Sequence, residues 1–352
     1  MPVIVDSPAP AAQHPAVAEL SKPVTPRSSG RVGRRGARRP GGSSGTRRAE
    51  VPQDDAPVLA IDLGGTKVSF AVVDPSGAVL ARAKRPSHEG GAALPLGTLG
   101  ASAAETVHAA GLAWKDLRAA GLVVPGIYDP ANGRAWAPNL WGRDEVPLRE
   151  ALAPHLPLPL VIDSDRSGYV LGEAWRGAAR GATEVVFLAV GTGIGAGILS
   201  GGRLVRGQGG IAGAVGWFAL DPRWREDYGG MGSFEAEAAG PALARRFGKA
   251  SAEEVAEAAR RGDPVARRAV DETVEWLAMG TANLISALNP QVVVLGGGLM
   301  QAADLFLEPL RRAVRRWAQP IAVERCRIEP SQLGEDAALF GAARLALLGE
   351  PT

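Results

Sequence analysis

Cysteine is almost missing from this sequence: Cys326 is the single one in 352 residues. One thiol cannot close an internal disulfide, and it excludes a cysteine-rich zinc site. The usage fits a reducing compartment, so a cytoplasmic protein is expected. Long apolar runs are missing as well. None approaches the ~20 residues of a membrane span. No basic start leads into an apolar stretch, so neither a secretory leader nor a membrane partner is expected. Aromatic residues are scarce, at 5%, whereas glycine is abundant, with 46 residues. That mixture suits tightly packed α/β layers joined by glycine turns, and the length favours two domains over one.

A broad positive surface is also lacking. The net charge of +2 hides an uneven spread: residues 1–50 hold 9 Lys+Arg against 3 Asp+Glu, and the remainder holds 30 against 34. The basic character therefore sits in the tail, and the folded part is mildly acidic. No nucleic-acid partner is expected for it. Residues 1–55 are rich in Pro, Ser, Gly and Arg without hydrophobic period, and a disordered, solvated tail is expected there. Its Arg31, Arg34, Arg35, Arg38 and Arg39 cluster is read as part of that solvated tail.

From Val58 onward, short apolar runs alternate with turn signals and helical patterns. Strands are expected at Val58–Ile61, Val68–Val73, Val79–Lys84, Gly121–Val124 and Leu158–Ile162, with a helix at about Leu96–Ala110 and another after the last strand, through about Trp175. Strand, glycine turn and returning strand then recur at Val185–Leu199. A long helix at about Asp271–Leu288, a strand at Gln291–Leu295, and helices at Asp304–Trp317 and Asp336–Leu348 follow. The repeated opening, Ala60-Ile-Asp-Leu-Gly-Gly-Thr and Leu188-Ala-Val-Gly-Thr-Gly, predicts an internally duplicated fold.

Three glycine loops follow buried strands: Asp62-Leu-Gly64-Gly65-Thr66-Lys67, Gly191-Thr192-Gly193-Ile-Gly195 and Gly296-Gly297-Gly298. A polyphosphate needs backbone N–H groups with no side chain in the way, and glycine turns provide them. None has the spacing of a Walker loop. Gly191–Gly195 runs into a strand rather than a helix, which also weakens a dinucleotide-binding reading. Each loop alone is equally an ordinary hairpin turn; three together favour nucleotide phosphate. Asp62, at a strand end, suits Mg2+ held through water. Gly65 and Thr66 are stronger candidates for phosphate than Lys67.

Together with Asn139-Leu-Trp141, with Asp165 six residues before Leu171-Gly-Glu173, and with the closing Gly341-Ala-Ala helix, these motifs resemble the ROK family in that family's order, from about Val58 to Leu348. The family holds bacterial glucokinases, other hexose and amino-sugar kinases, and sugar-responsive repressors. The resemblance implies an actin-like ATPase (ribonuclease H-like) α/β fold, duplicated into two domains around a central cleft. Residues 56–177 plus 336–350 would form the smaller domain and 178–335 the larger. It implies ATP-dependent phosphorylation of a hexose or amino-sugar hydroxyl, the 6-hydroxyl, with ATP and Mg2+ as cofactors, a small-molecule sugar as partner and a homo-oligomeric state. Asp165 falls on the family's base. Read by residue type alone, Ser164 or Asp165 is an N-cap, and Asp163 is the competing acid. Gly126, Asn139 and Glu235 fall on sugar contacts. The alternatives are a sugar-sensing transcriptional regulator, for which residues 1–55 are too short and irregular to supply a winged helix, and a catalytically inactive sugar-binding protein.

The pattern breaks after the second glycine loop. Where the family reads Ala-Gly-Glu-x-Gly-His, this chain has Ala212-Gly213-Ala214-Val215-Gly216-Trp217. A sugar-binding glutamate is thus Ala214, and a histidine that touches sugar and ligates structural zinc is Trp217. The zinc cysteines would fall between about Trp224 and Ser233, and none is there. No structural zinc is expected. Packing of Trp217, Phe218 and Trp224 is expected to hold the region instead, unless Trp217 stacks on the sugar.

Overall fold

A computed structural model describes residues 55–89, 92–93 and 95–349. The tail expected over residues 1–55 therefore lies, but for Asp55, outside the described residues. Ten strands form two five-stranded sheets. The first contains β1 (Val58–Leu63), β2 (Lys67–Val73), β3 (Val79–Pro86), β4 (Ala120–Val124) and β5 (Leu160–Ser164), in the order β5-β4-β1-β2-β3. The second contains β6 (Val185–Val190), β7 (Ile194–Ser200), β8 (Arg203–Leu204), β9 (Val292–Gly296) and β10 (Arg327–Pro330), in the order β8-β7-β6-β9-β10. Both sheets have an antiparallel meander on one side of the first strand and two parallel strands on the other. The duplication predicted from the repeated opening is therefore present in the topology.

The alternation of side chains along each strand builds three cores. In β1, Leu59, Ile61 and Leu63 face one core while Val58 and Ala60 face another. In β6, Val186, Leu188 and Val190 face a third core, and Val185 and Phe187 turn to the one shared with β1. The shared core lies between the sheets and takes in α2 (Asp165–Arg176) and α7 (Ala337–Leu348). Outer cores are completed by α1 (Leu96–Ala109) on the first sheet. On the second they are completed by α3 (Ser233–Ala238), α4 (Gly240–Phe247), α5 (Pro264–Leu288) and α6 (Ala303–Trp317). The two central helices touch backbone to backbone: a Cβ on Gly341 would lie 1.9 Å from the carbonyl oxygen of Gly168.

Some boundaries differ from expectation. β5 runs Leu160–Ser164 rather than Leu158–Ile162. The long helix starts seven residues before Asp271, at Pro264, where the Asp263 carboxylate accepts the amides of Val265 and Ala266 at 2.8 and 3.1 Å. Proline at the first helical position behind an aspartate cap is a start signal that apolar periodicity alone passes over. A small sheet of Ile127–Asp129, Arg134–Trp136 and Glu145–Val146 adds to the strands expected from sequence.

Candidate active site

Parallel register decides which side chains meet. Asp62 of β1 pairs with Val123 of β4, which pairs with Asp163 of β5. The loops after these strands, Gly64–Thr66, Pro125–Gly126 and the start of α2, therefore leave the same sheet edge. Ligands favour such carboxyl-end edges in α/β sheets. In the second sheet, Ala189 of β6 pairs with Gly296 of β9, so the two later glycine loops also emerge side by side. A Cβ on Gly191 would meet the Gly298 amide nitrogen at 3.6 Å. Gly297, with φ +88°, is pressed on the Val190 backbone, a conformation and a contact that admit no side chain.

Asp165 opens α2. The cap is Ser164, whose hydroxyl oxygen accepts the Ser167 amide at 3.4 Å, so capping does not occupy the Asp165 carboxylate. The Tyr169 hydroxyl donates to Asp165 Oδ2 at 3.5 Å, and its ring stacks on Phe187 with centroids 5.0 Å apart. Burial lifts the Asp165 pKa to about 6, against the lowering pull of Arg166. Burial and the negative Asp165 lift Asp62 to about 7. Asp163 is engaged on both oxygens: Oδ1 accepts the Ser164 amide at 2.7 Å, and Oδ2 accepts Arg206 Nε at 2.6 Å. The competing acid is thus tied up in an ion pair.

Around the first loop, Gly64 N–H donates to the Lys67 carbonyl at 3.0 Å, closing the turn, and Gly65 faces Asn139, whose Cβ would lie 3.5 Å from a Cβ on the glycine. Lys67 Nζ donates to Glu335 at 2.5 Å, an exposed pair that turns it toward the start of α7. Thr66 and Thr192 are exposed at their loop tips. Glu235 Oε2 accepts the Ile194 amide at 2.8 Å and lies against Gly193, and burial raises its pKa. Gly126, with φ +98°, presents its carbonyl to Arg166 Nη2 at 3.3 Å.

The region of the missing zinc ligands is held differently from expectation. Phe218 stacks on Phe234, at 6.3 Å between centroids, but Trp217 is 57% exposed and Trp224 75%. Trp224 meets the Tyr228 ring edge-on, with centroids 6.3 Å apart, but neither tryptophan is the buried anchor. The buried Glu237 is: it accepts Tyr228 Oη at 2.8 Å and Arg246 Nη2 at 2.5 Å, and pairs with Arg225. Ser233 Oγ bridges the Phe218 carbonyl, at 2.7 Å, and the Leu220 amide, at 2.9 Å. Among the described residues no group of three or more His, Cys, Asp or Glu side chains is arranged to hold a metal ion.

Sequence reading passed over Tyr169, Arg166, Arg206 and Glu237. Tyr169 carried a signal, since i and i+4 share a helix face; Arg206 and Arg225 carry none, because their partners are distant in the chain or across a loop.

The chain matches the model of the ROK family over residues 58–348. It is 31% identical to a glucokinase of Thermotoga maritima over 311 residues, covering 82% of this chain and 96% of that protein. A solved ROK family glucokinase of Streptomyces griseus, in complex with glucose and AMPPNP, is 30% identical. It superposes with a TM-score of 0.65 over 83% of this chain and 100% of that one. A xylose repressor of Caldicellulosiruptor bescii is 30% identical, covering 66% of this chain and 63% of that protein.

Proposed function

The chain belongs to the ROK family, and on that premise we propose that it phosphorylates a hexose or amino sugar with ATP, at the 6-hydroxyl, using Asp165 as general base. The observation that carries this is the Asp165 carboxylate: it stands at the carboxyl end of β5, is spared from capping by Ser164, and has its pKa lifted to about 6. A base with a pKa near the working pH accepts a proton efficiently. As the sugar oxygen bonds to the γ-phosphorus, its proton passes to Asp165. The bond from that phosphorus to the bridging oxygen breaks, and ADP leaves with the electron pair.

The glycine loops are read as the phosphate cradle, because their amides stand where no side chain intrudes. Asp62 fits Mg2+ through water: it is one carboxylate at a strand end beside a second, and a nearby cation would offset the burial and the repulsion from Asp165 that raise its pKa. Bound there with ATP, Mg2+ would neutralise charge on the transferred group. Lys67, paired with Glu335, is not assigned to phosphate. Asn139 beside Gly65, the Gly126 loop and Glu235 are assigned to the sugar. The two sheets with their helices are read as the lobes, 56–177 plus 336–350 and 178–335, of a closing cleft.

The test is ATP turnover over a panel of hexoses and hexosamines with the wild type and Asp165→Asn. The variant is expected to keep its fold and lose about 10²–10⁴-fold in kcat. A near-wild-type rate removes Asp165 from the mechanism, and sugar binding without any transfer supports an inactive binding protein. The repressor relative motivates a second reading, a sugar-responsive regulator. Sequence-specific retardation of DNA, relieved by sugar, would support it.

A further inference from the structure

The residue after the proposed base is a cation with unused hydrogen-bonding capacity. Arg166 is half-buried, and both of its hydrogen bonds leave one nitrogen: Nη2 reaches the carbonyl of Gly126 at 3.3 Å and that of Gly210 at 3.4 Å. Both exceed the usual N–H···O range of about 2.7–3.2 Å. A guanidinium has five N–H donors in a planar fork. Nε and Nη1 make no hydrogen bond among the described residues, and no carboxylate there forms an ion pair with Arg166. Asp165 and Asp163 act on its charge from nearby, but neither forms an ion pair with it: Asp163 is closed by Arg206, and Asp165 is bonded by Tyr169.

The position of this cation ties it to the site. Its Cδ lies against the second glycine loop, 2.9 Å from where a Cβ on Gly195 would be. Gly195 in turn adjoins the segment 211–217, whose Gly213 carbonyl accepts the Ala196 amide at 2.8 Å. That segment, Ile-Ala-Gly-Ala-Val-Gly-Trp, contains no acid. Arg166 therefore links the Gly126 loop, the Gly210 turn and the Gly195 strand, and faces no countercharge from the segment beside it.

We propose that Arg166 makes this site selective for a sugar bearing a carboxylate on a carbon other than the one phosphorylated. The proposal rests on the kinase reading and narrows its substrate class. A neutral hexose offers the fork only weak hydroxyl acceptors. A carboxylate matches it with two parallel charge-assisted bonds in a setting already partly stripped of water. Sites built around a buried polar group discriminate strongly against ligands that leave it unmatched.

The test compares D-gluconate and N-acetylmuramate with D-glucose and N-acetylglucosamine, all of which keep a primary hydroxyl, by kcat/KM with ATP. The acidic sugars are expected to be preferred at least about tenfold. Arg166→Gln should lose on the order of 10–100-fold for them, mostly in KM, and more than it loses for the neutral pair. Turnover of neutral sugars with refusal of the acidic ones overturns the proposal and leaves the kinase reading standing. No turnover of any sugar defeats the kinase reading itself. Equal losses for both classes overturn the proposal by making Arg166 a strap between loops. If Arg166→Gln does not fold, the wild-type preference decides alone, and its collapse at high salt for the acidic sugars only is the expected signature.

Discussion

Two carboxyls of the site are held at a cost. Asp62 and Asp165 have folded pKa values near 7 and 6, above the ordinary 3.8, chiefly because burial penalises the charged form. A carboxyl that binds its proton more tightly in the folded state contributes stability while protonated and loses it as pH rises. The contribution is full below about 3.8 and gone above about 6 for Asp165 and about 7 for Asp62. Ligand-free wild type should therefore lose stability between pH 4 and pH 8. In Asp165→Asn and Asp62→Asn that loss should shrink, and thermal melts at pH 8 should place neither below wild type. A variant melting well below wild type at pH 8 would mean that the carboxylate is structurally needed. The same titration should appear as an acid limb near pH 6 in kcat, absent from the residual activity of Asp165→Asn.

At the scale of elements, the contact of α2 with α7 is the tightest joint. With a Cβ of residue 341 placed 1.9 Å from the Gly168 carbonyl oxygen, Gly341→Ala cannot be relieved by a rotamer change; the helices have to part. The expected cost in urea unfolding exceeds about 3 kcal/mol, the upper end of ordinary overpacking. A second joint is Glu237, which ties Arg225 and Tyr228 in the 221–231 segment to Arg246 of α4. If this cluster does the work of a metal, a zinc chelator leaves the melting temperature unchanged, while Glu237→Gln lowers stability by on the order of 2 kcal/mol. A chelator-induced fall in melting temperature would refute that account. Strand and helix positions were legible because alternation and 3.6-residue periodicity follow directly from burial. The joints were not legible. Gly168, Gly172 and Gly341 read as weak spots in helices until their partner helix is known, and Glu237 reads as one more surface acid.

For the whole molecule, duplication explains how much of the site could be read in advance. Two copies of one topology put glycine turns at the carboxyl ends of equivalent strands, so Asp62-Leu-Gly-Gly and Val190-Gly-Thr-Gly announced both halves. What joins the halves includes side-chain chemistry between distant positions: Asp163 with Arg206, and Arg166 with Gly210. Local sequence holds no trace of such pairs. If the sugar sits at the first sheet's edge and the phosphates span both, each ligand should order contacts that the other needs. Either alone at 100 times its Kd stabilises by about 2.7 kcal/mol. With coupling, the sugar and a non-hydrolysable ATP analogue together should stabilise by more than the sum of their separate effects, because the second finds the halves already ordered. Calorimetric titration of each ligand in the absence and presence of the other measures this coupling. Asp165→Asn should retain it, since that change removes the proposed proton acceptor and leaves the proposed cradle intact. Strictly additive binding would mean that the two sheets do not act on their ligands together.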